Sequence, residues 1–446
     1  MKGYFHSYEA TLQDSVPLRR QRDYRLLWTA RTVSITGSEV SKLAVPLAAV
    51  TLLAASPAQM GVLTAVAFVP ALLFGLHAGA LADRLTRHRP LMIACELVSA
   101  AAALLVPLAW LSGFLSVPLL VAVALVIGTA GVVFKAANFP HLAVVVPADR
   151  RTEAMAGFHA SYSVASIAGP GLAGLLVQAL TAPLAVLMEA LSFLASALML
   201  RSIRTPDDHA PSPSRGMWRD VVEGLRVSLT RPVLRAVLGA GVTLNFFAMA
   251  YIAIAILYMV QVLRIPQGAI GALTAVSGVG GLIGAWATTR LARRFGEDRV
   301  MVYTILLFPV DMLAVGLVGG PLWVVIPVMA TTGLLIGATV ISFATCMNVV
   351  TMREAPAEVM GRVNATMTCA IQGVLALGGL AGGLLAEVVG LRAVILVCAA
   401  GTSLAIFWIW NSPLRPRRRR WVAEADGDPV MGTALRELAF TKIRTV

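Results

Sequence analysis

The sequence predicts an all-α membrane protein of twelve transmembrane helices, built as two parallel six-helix repeats. Three observations predict it. The 446 residues are 58% hydrophobic and only 13% charged, with mean hydropathy +0.80. Twelve apolar runs are separated by loops whose basic residues crowd onto one side. The chain also resembles itself at an offset of about 210 residues.

Composition decides the solvent. Soluble domains are about 45–50% apolar and about 25% charged. A chain with half that charge cannot cover a water-facing surface, so lipid must face part of it. In lipid every backbone polar group is satisfied within the protein, which leaves helices or a closed barrel. Barrel strands alternate apolar and polar residues, whereas these runs are continuous Leu, Ala, Val and Gly. The first 25 residues are polar and lack the apolar core of a cleavable signal. The four cysteines, Cys95, Cys346, Cys369 and Cys398, all lie in apolar runs without metal-ligand spacing and read as small hydrophobes. No metal site and no cofactor are expected.

A spanning helix takes about 20 apolar residues. The runs are 26–54, 58–82, 90–112, 116–138, 157–180, 183–203, 233–262, 267–290, 299–318, 321–349, 360–388 and 390–411. With both termini and every second loop on one side, that side holds 31 of the 36 Lys and Arg residues. The opposite loops hold Arg264 and Arg392; Arg31, Lys42 and Lys135 lie within spans. Cytoplasmic loops carry the Lys/Arg excess, so the expected location is the cell (inner or plasma) membrane, multi-pass, with both termini in the cytoplasm. The net charge of +13 is then an orientation signal, and no nucleic-acid partner is expected.

The expected organisation has five parts. They are a cytoplasmic segment 1–25, a six-helix half 26–203, a linker 204–232, a second six-helix half 233–411 and a basic tail 412–446. The linker opens with Pro206, Pro211 and Pro213. Trp218, Val221, Val222, Leu225 and Leu229 then recur at helical spacing, as in a helix lying on the inner membrane surface. The tail run Pro416-Arg417-Arg418-Arg419-Arg420-Trp421 suits anionic headgroups.

The repeat is read directly. A shift of 210 lays Gly61, Leu63, Thr64, Ala65 and Val66 on Gly271, Leu273, Thr274, Ala275 and Val276, and Arg84 and Arg89 on Arg294 and Arg299. A shift of 209 lays Gly128 and Pro147 on Gly337 and Pro356, and Gly169 and Gly174 on Gly378 and Gly383. Six spans per half keep both halves in the same orientation, as in parallel repeats about an axis along the membrane normal.

This plan resembles the major facilitator superfamily over roughly residues 20–412. Gly79-Ala80-Leu81-Ala82-Asp83-Arg84-Leu85-Thr86-Arg87-His88-Arg89 is similar to the superfamily's loop 2–3 motif, with Thr86 in place of a glycine. Ala168-Gly169-Pro170-Gly171-Leu172-Ala173-Gly174 resembles the drug/proton antiporter motif in span five, with Leu175 at its last position. Arg22-Asp23-Tyr24-Arg25-Leu26-Leu27-Trp28 and Ser34-Ile35-Thr36-Gly37-Ser38-Glu39 look like the enterobactin-exporter and macrolide-efflux branch. The resemblance implies a secondary transporter working by alternating access. It also implies a gating role for Gly79, Asp83, Arg84, Arg87 and Arg89, and an antiporter role for Gly169, Pro170 and Gly174. A loop that only fixes orientation, and a glycine stripe that only packs helices, are the plainer readings. In the second half Arg293 stands in the place of Asp83.

Ionisable groups at membrane depth are costly and usually face the bundle interior. At 100° per residue, Arg31, Ser38, Glu39 and Lys42 share about a third of the circumference of span one. Burial and Lys42 act on the Glu39 carboxyl in opposite directions, so Glu39 with Lys42 is the first candidate for proton coupling; a permanent ion pair is the alternative. Glu189 and Asp311 are further coupling candidates, on spans six and nine, which in this fold usually lie outside the central cavity. Glu96 and Lys135, near helix ends, read as structural. Asn245, Phe247, Tyr251 and Gln372 are the candidates to line the substrate cavity.

The sequence has no phosphate-binding loop and no loop longer than about 35 residues, so an ion gradient is the expected energy source and no enzymatic activity is expected. The expected partners are a small-molecule substrate, protons and the lipid bilayer, and the expected state is a monomer. The expected function is proton-coupled export of a small amphiphilic molecule such as a drug, siderophore or natural product. Import of a polar metabolite, or a non-transporting sensor or scaffold, are the alternatives.

Overall fold

All twelve apolar runs fold as helices long and apolar enough to cross a membrane. The computed structural model describes residues 17–75, 86–207, 225–355 and 359–412. The helices are α1 (Arg22–Leu52), α2 (Pro57–Gly75), α3 (Arg89–Leu111), α4 (Val117–Val145), α5 (Arg151–Ala179) and α6 (Ala182–Arg201). They continue with α7 (Pro232–Gln261), α8 (Gln267–Phe295), α9 (Glu297–Leu317), α10 (Leu322–Glu354), α11 (Met360–Val389) and α12 (Leu391–Trp410). No strand occurs among the described residues. Gly79, Asp83, Arg84 and most of the expected surface helix lie outside the described residues.

Several helices run past the apolar stretch that announces them, mainly at the ends nearer the termini. α4 continues to Val145, α5 starts at Arg151, α8 reaches Phe295 and α10 reaches Glu354. Charged side chains sustain these turns. Arg293 and Arg294 occupy the last turn of α8, where a cation suits the helix dipole. Arg290 stacks on Trp286 with its guanidinium carbon 3.7 Å from the ring centre. Arg353 closes α10 by reaching Asp298 at 2.7 Å and Glu297 at 3.8 Å, both in the first turn of α9. At the opposite end Ser56 and Gln59 cap α2 reciprocally, with Pro57 at its first position.

Packing repeats as the sequence does. α1 packs on α5 and α6, and α3 on α4 and α6; correspondingly α7 packs on α11 and α12, and α9 on α10 and α12. The halves join chiefly through α2 against α11 and α5 against α8, two pairs that the repeat exchanges. Among the described residues, the buried apolar core is continuous across both halves at the end away from the termini. At the other end it splits, with one cluster in each half. Among the described residues the apolar core therefore welds the two halves at one end only.

Candidate functional site

The weld is made by glycines. A carbon added to Gly61 would stand 2.8 Å from the Gly383 Cα, and one added to Gly174 would stand 2.8 Å from the Gly271 Cα. Backbones approach this closely only where no side chain intervenes. Gly61 and Gly271 are repeat equivalents, as are Gly174 and Gly383. The two contacts are thus one contact made twice around the pseudo-twofold axis. Beside them, the Ala58 amide donates to the Glu387 carboxylate across the halves at 3.1 Å.

Below this closure lies a cavity of about 690 Å³, within the range of small-molecule sites. α1, α5, α7, α8, α9 and α10 supply its walls, mostly with Ala, Gly, Leu, Ile, Val and Met. Polar atoms come from Ser163, Ser166, Thr274, Ser277 and Thr332, and aromatic surface from Tyr162, Tyr251 and Phe308. The charged lining residues are Glu39, Lys42 and Asp311.

Glu39 and Lys42, three residues apart on α1, form an ion pair of 2.6 Å. Glu39 is buried, while the Lys42 side chain is mostly open to the cavity. Gly169 seats the pair, since a carbon added there would stand 2.5 Å from the Glu39 Cβ. One turn on, the Pro170 carbonyl and Gly174 abut Gly271 in the other half. The Gly169-Pro170 segment therefore touches the ion pair and the inter-half closure at once.

Other predicted residues fall elsewhere. Glu189 is buried on α6 facing Ser38 and Ser41 of α1, away from the cavity wall. Glu96 accepts from Ser34 at 3.4 Å and from Ser196 at 3.0 Å, in a closed polar cluster. Arg31 turns inward over the Phe134 ring at 5.2 Å. Of the cavity candidates, Tyr251 lines the wall. Asn245 donates to the carbonyl of Gly241 on its own helix, and Phe247 packs against Phe246 and Gly401, lining a separate groove between α7, α11 and α12. Asn245, Phe247 and Gln372 are not among the residues lining the central cavity.

Asp311 departs from the expectation that α9 stays outside the cavity. Gly280, Gly284 and Gly337 draw α8 and α10 together, and Gly378 and Gly382 draw α7 onto α11. Between α7 and α10 a cleft remains, and Phe308, Asp311, Met312 and Val315 of α9 form its floor. The serine and threonine lining was also missed. Its signal was the spacing of Tyr162, Ser163, Ser166, Ile167 and Pro170 along one face of α5, leading into the glycine motif.

A charged cluster that the sequence did not announce ties down the start of the linker. Asp207 meets His141 Nδ1 at 3.1 Å and accepts from the Arg89 amide. The Arg89 guanidinium donates to the carbonyls of Ile203 and Thr205. Asp23 accepts from the Thr205 hydroxyl at 2.6 Å and from the amides of Thr205 and Arg204. Arg89 of the loop motif thus binds within its own half.

The chain matches the pattern of the transmembrane secretion effector family over residues 14–430. It is 28% identical over 338 residues to the multidrug efflux pump Tap of Mycolicibacterium fortuitum, covering 74% of this chain and 80% of the relative. It is 27% identical over 356 residues to the Tap pump of Mycobacterium tuberculosis, covering 77% and 82%. Among solved structures it superposes on a point mutant of the nucleoside transporter NupG with a TM-score of 0.72 at 12% identity, covering 88% and 99%. A bacterial homologue of the iron transporter ferroportin in an inward-facing state gives 0.67 at 18%, covering 88% and 99%. With its twelve helices in two repeats, the chain belongs to the transmembrane secretion effector family of major facilitator transporters.

Proposed function

We propose that this protein is a proton-coupled exporter that moves a small amphiphilic molecule out of the cell by alternating access. The observation that carries the reading is the Glu39–Lys42 ion pair, held by Gly169 at the wall of a largely apolar cavity. Protonating Glu39 would release Lys42 and change the surface on which α5 rests. α5 also carries the Gly174–Gly271 closure, so one helix links the charge change to the joint between the halves. An equilibrium shifts only if the two states differ in their contacts, and this arrangement supplies such a difference.

The export direction is supported by the pumps to which the chain is similar. The excess of basic residues supports cytoplasmic termini in a cell membrane. On that orientation the glycine closure is extracellular and the cavity serves the cytoplasmic side. The protein works as a monomer and catalyses no covalent chemistry.

The test is transport by purified protein in proteoliposomes, with and without a pH gradient and with an uncoupler. Gradient-dependent movement of an amphiphilic dye toward the face opposite the termini is expected. In Glu39→Gln, gradient-driven accumulation should fall about tenfold or more, the change that ~1.4 kcal/mol of lost coupling produces. Fully proton-driven transport by Glu39→Gln would reject the coupling role.

A further inference from the structure

We infer that Asp311 is the recognition point for a positive charge on the cargo, so that the substrates are organic monocations with a bulky apolar body. This rests on the transporter reading and extends it to the chemistry of the substrate.

The argument begins with charge. Glu39, Lys42 and Asp311 are the charged lining residues, and the first two neutralise each other. Asp311 is only 4% exposed, and its Oδ1 has no hydrogen-bond partner among the described residues. A buried polar atom without a partner costs free energy. By contrast Glu96 accepts from two serines and Glu39 is paired with Lys42. Asp311 sits where α9 floors the cleft between α7 and α10, with Phe308, Met312, Tyr251 and Met329 around the same cavity. An acid in this setting is completed by a ligand that brings both a cation and apolar surface.

The chemistry of the wall narrows the class. A divalent metal needs six or more oxygen ligands or a set of nitrogen and sulfur donors. Among the described residues no group of three His, Cys, Asp or Glu side chains gathers. A single carboxylate against aromatic and thioether side chains suits a quaternary or protonated organic cation, whose weakly hydrated charge also gains from ring faces. The cavity of about 690 Å³ accepts a molecule of drug size.

The experiment compares two probes of similar bulk, tetraphenylphosphonium and neutral triphenylphosphine oxide, by equilibrium binding to the purified protein in nanodiscs. Wild type should prefer the cation. Asp311→Asn should lower its affinity about ten- to a hundredfold, the effect of losing one charge-assisted contact, and leave the neutral probe within about twofold. Asp311→Glu should keep the preference. Equal binding of both probes by wild type overturns the inference and needs no variant to fold. So does unchanged cation binding by Asp311→Asn, or a parallel fall of both probes. Loss of gradient-driven transport of the neutral probe with cation binding intact would make Asp311 a proton carrier instead, and would also overturn it. Binding requires no turnover. A protein that binds the cation through Asp311 yet moves nothing in vesicles defeats the exporter reading alone; one that exports the neutral probe with no role for Asp311 defeats this inference alone.

Discussion

In the N-terminal half, α1, α3 and α6 pack around two buried carboxyls, Glu96 and Glu189. At the equivalent place in the C-terminal half, α7, α9 and α12 pack around uncharged side chains. An offset of 209 lays Glu96, Glu189 and Ser196 on Ile305, Cys398 and Ala405, all three at most 1% exposed. The helices keep the same neighbours in both halves, so the packing pattern does not depend on what fills the interface. The polar version is tolerated because serines on the facing helices supply its hydrogen bonds. Asp311 reverses the comparison: its equivalent is Ala102, and its Oδ1 has no hydrogen-bond partner among the described residues. The first half pairs Glu96 with serines and Glu39 with Lys42, and the second sets Asp311 at the cavity.

The largest expected effect comes from forcing the polar design onto the apolar interface. Ile305→Glu would bury a carboxyl with no serine beside it and should cost about 3–5 kcal/mol. Thermal unfolding in detergent should show a large drop, partly recovered by adding Ala405→Ser, which restores the counterpart of Ser196. An Ile305→Glu protein as stable as wild type would mean that the interface is not set by its polar complement.

The glycine closure asks whether the halves are mechanically equal. Gly61→Ala and Gly271→Ala place the same methyl at repeat-equivalent points, each against backbone. Overpacking of this kind costs about 1–3 kcal/mol, enough to depopulate the closed joint about tenfold. Maleimide labelling of a cysteine introduced at Ala58 should accelerate similarly in both variants. Acceleration in one variant only would show that the two contacts carry unequal load.

Smaller effects should come from single polar contacts. Ser196→Ala removes one of two hydrogen bonds to Glu96 and should cost about 1 kcal/mol. Thr243→Val removes the 3.1 Å bond from Trp408 Nε1 at the rim of the lateral groove and should cost about 0.6 kcal/mol, the usual size inside a membrane. Melting temperatures should rank the two in that order. The reverse order would mean that the Glu96 cluster is loosely held.

Much of this architecture is legible in the amino-acid sequence. The twelve spans follow from continuous apolar runs, because lipid forces the backbone to satisfy itself within each segment. The Glu39–Lys42 pair was legible because residues three apart on a helix are neighbours whatever surrounds them. The offset of about 210 had already matched Gly61 with Gly271 and Gly174 with Gly383, although it could not say that each glycine meets one from the other half. Asn245, Phe247 and Gln372 show the opposite case. They lie on helices expected to face the cavity, but a helical period ranks the faces of one helix and says nothing about which neighbour covers each face.

By itself the sequence determined the membrane class, the helix count, the repeat and the Glu39–Lys42 pair, since each depends on solvent or on spacing along the chain. Only the tertiary structure decided that Asp311 joins Glu39 at the cavity. Asp311 reaches it because glycines pull α8 onto α10 and α7 onto α11, and the cleft they leave opens onto α9. That outcome depends on how closely four helices approach one another, a quantity set by contacts between residues distant in the chain.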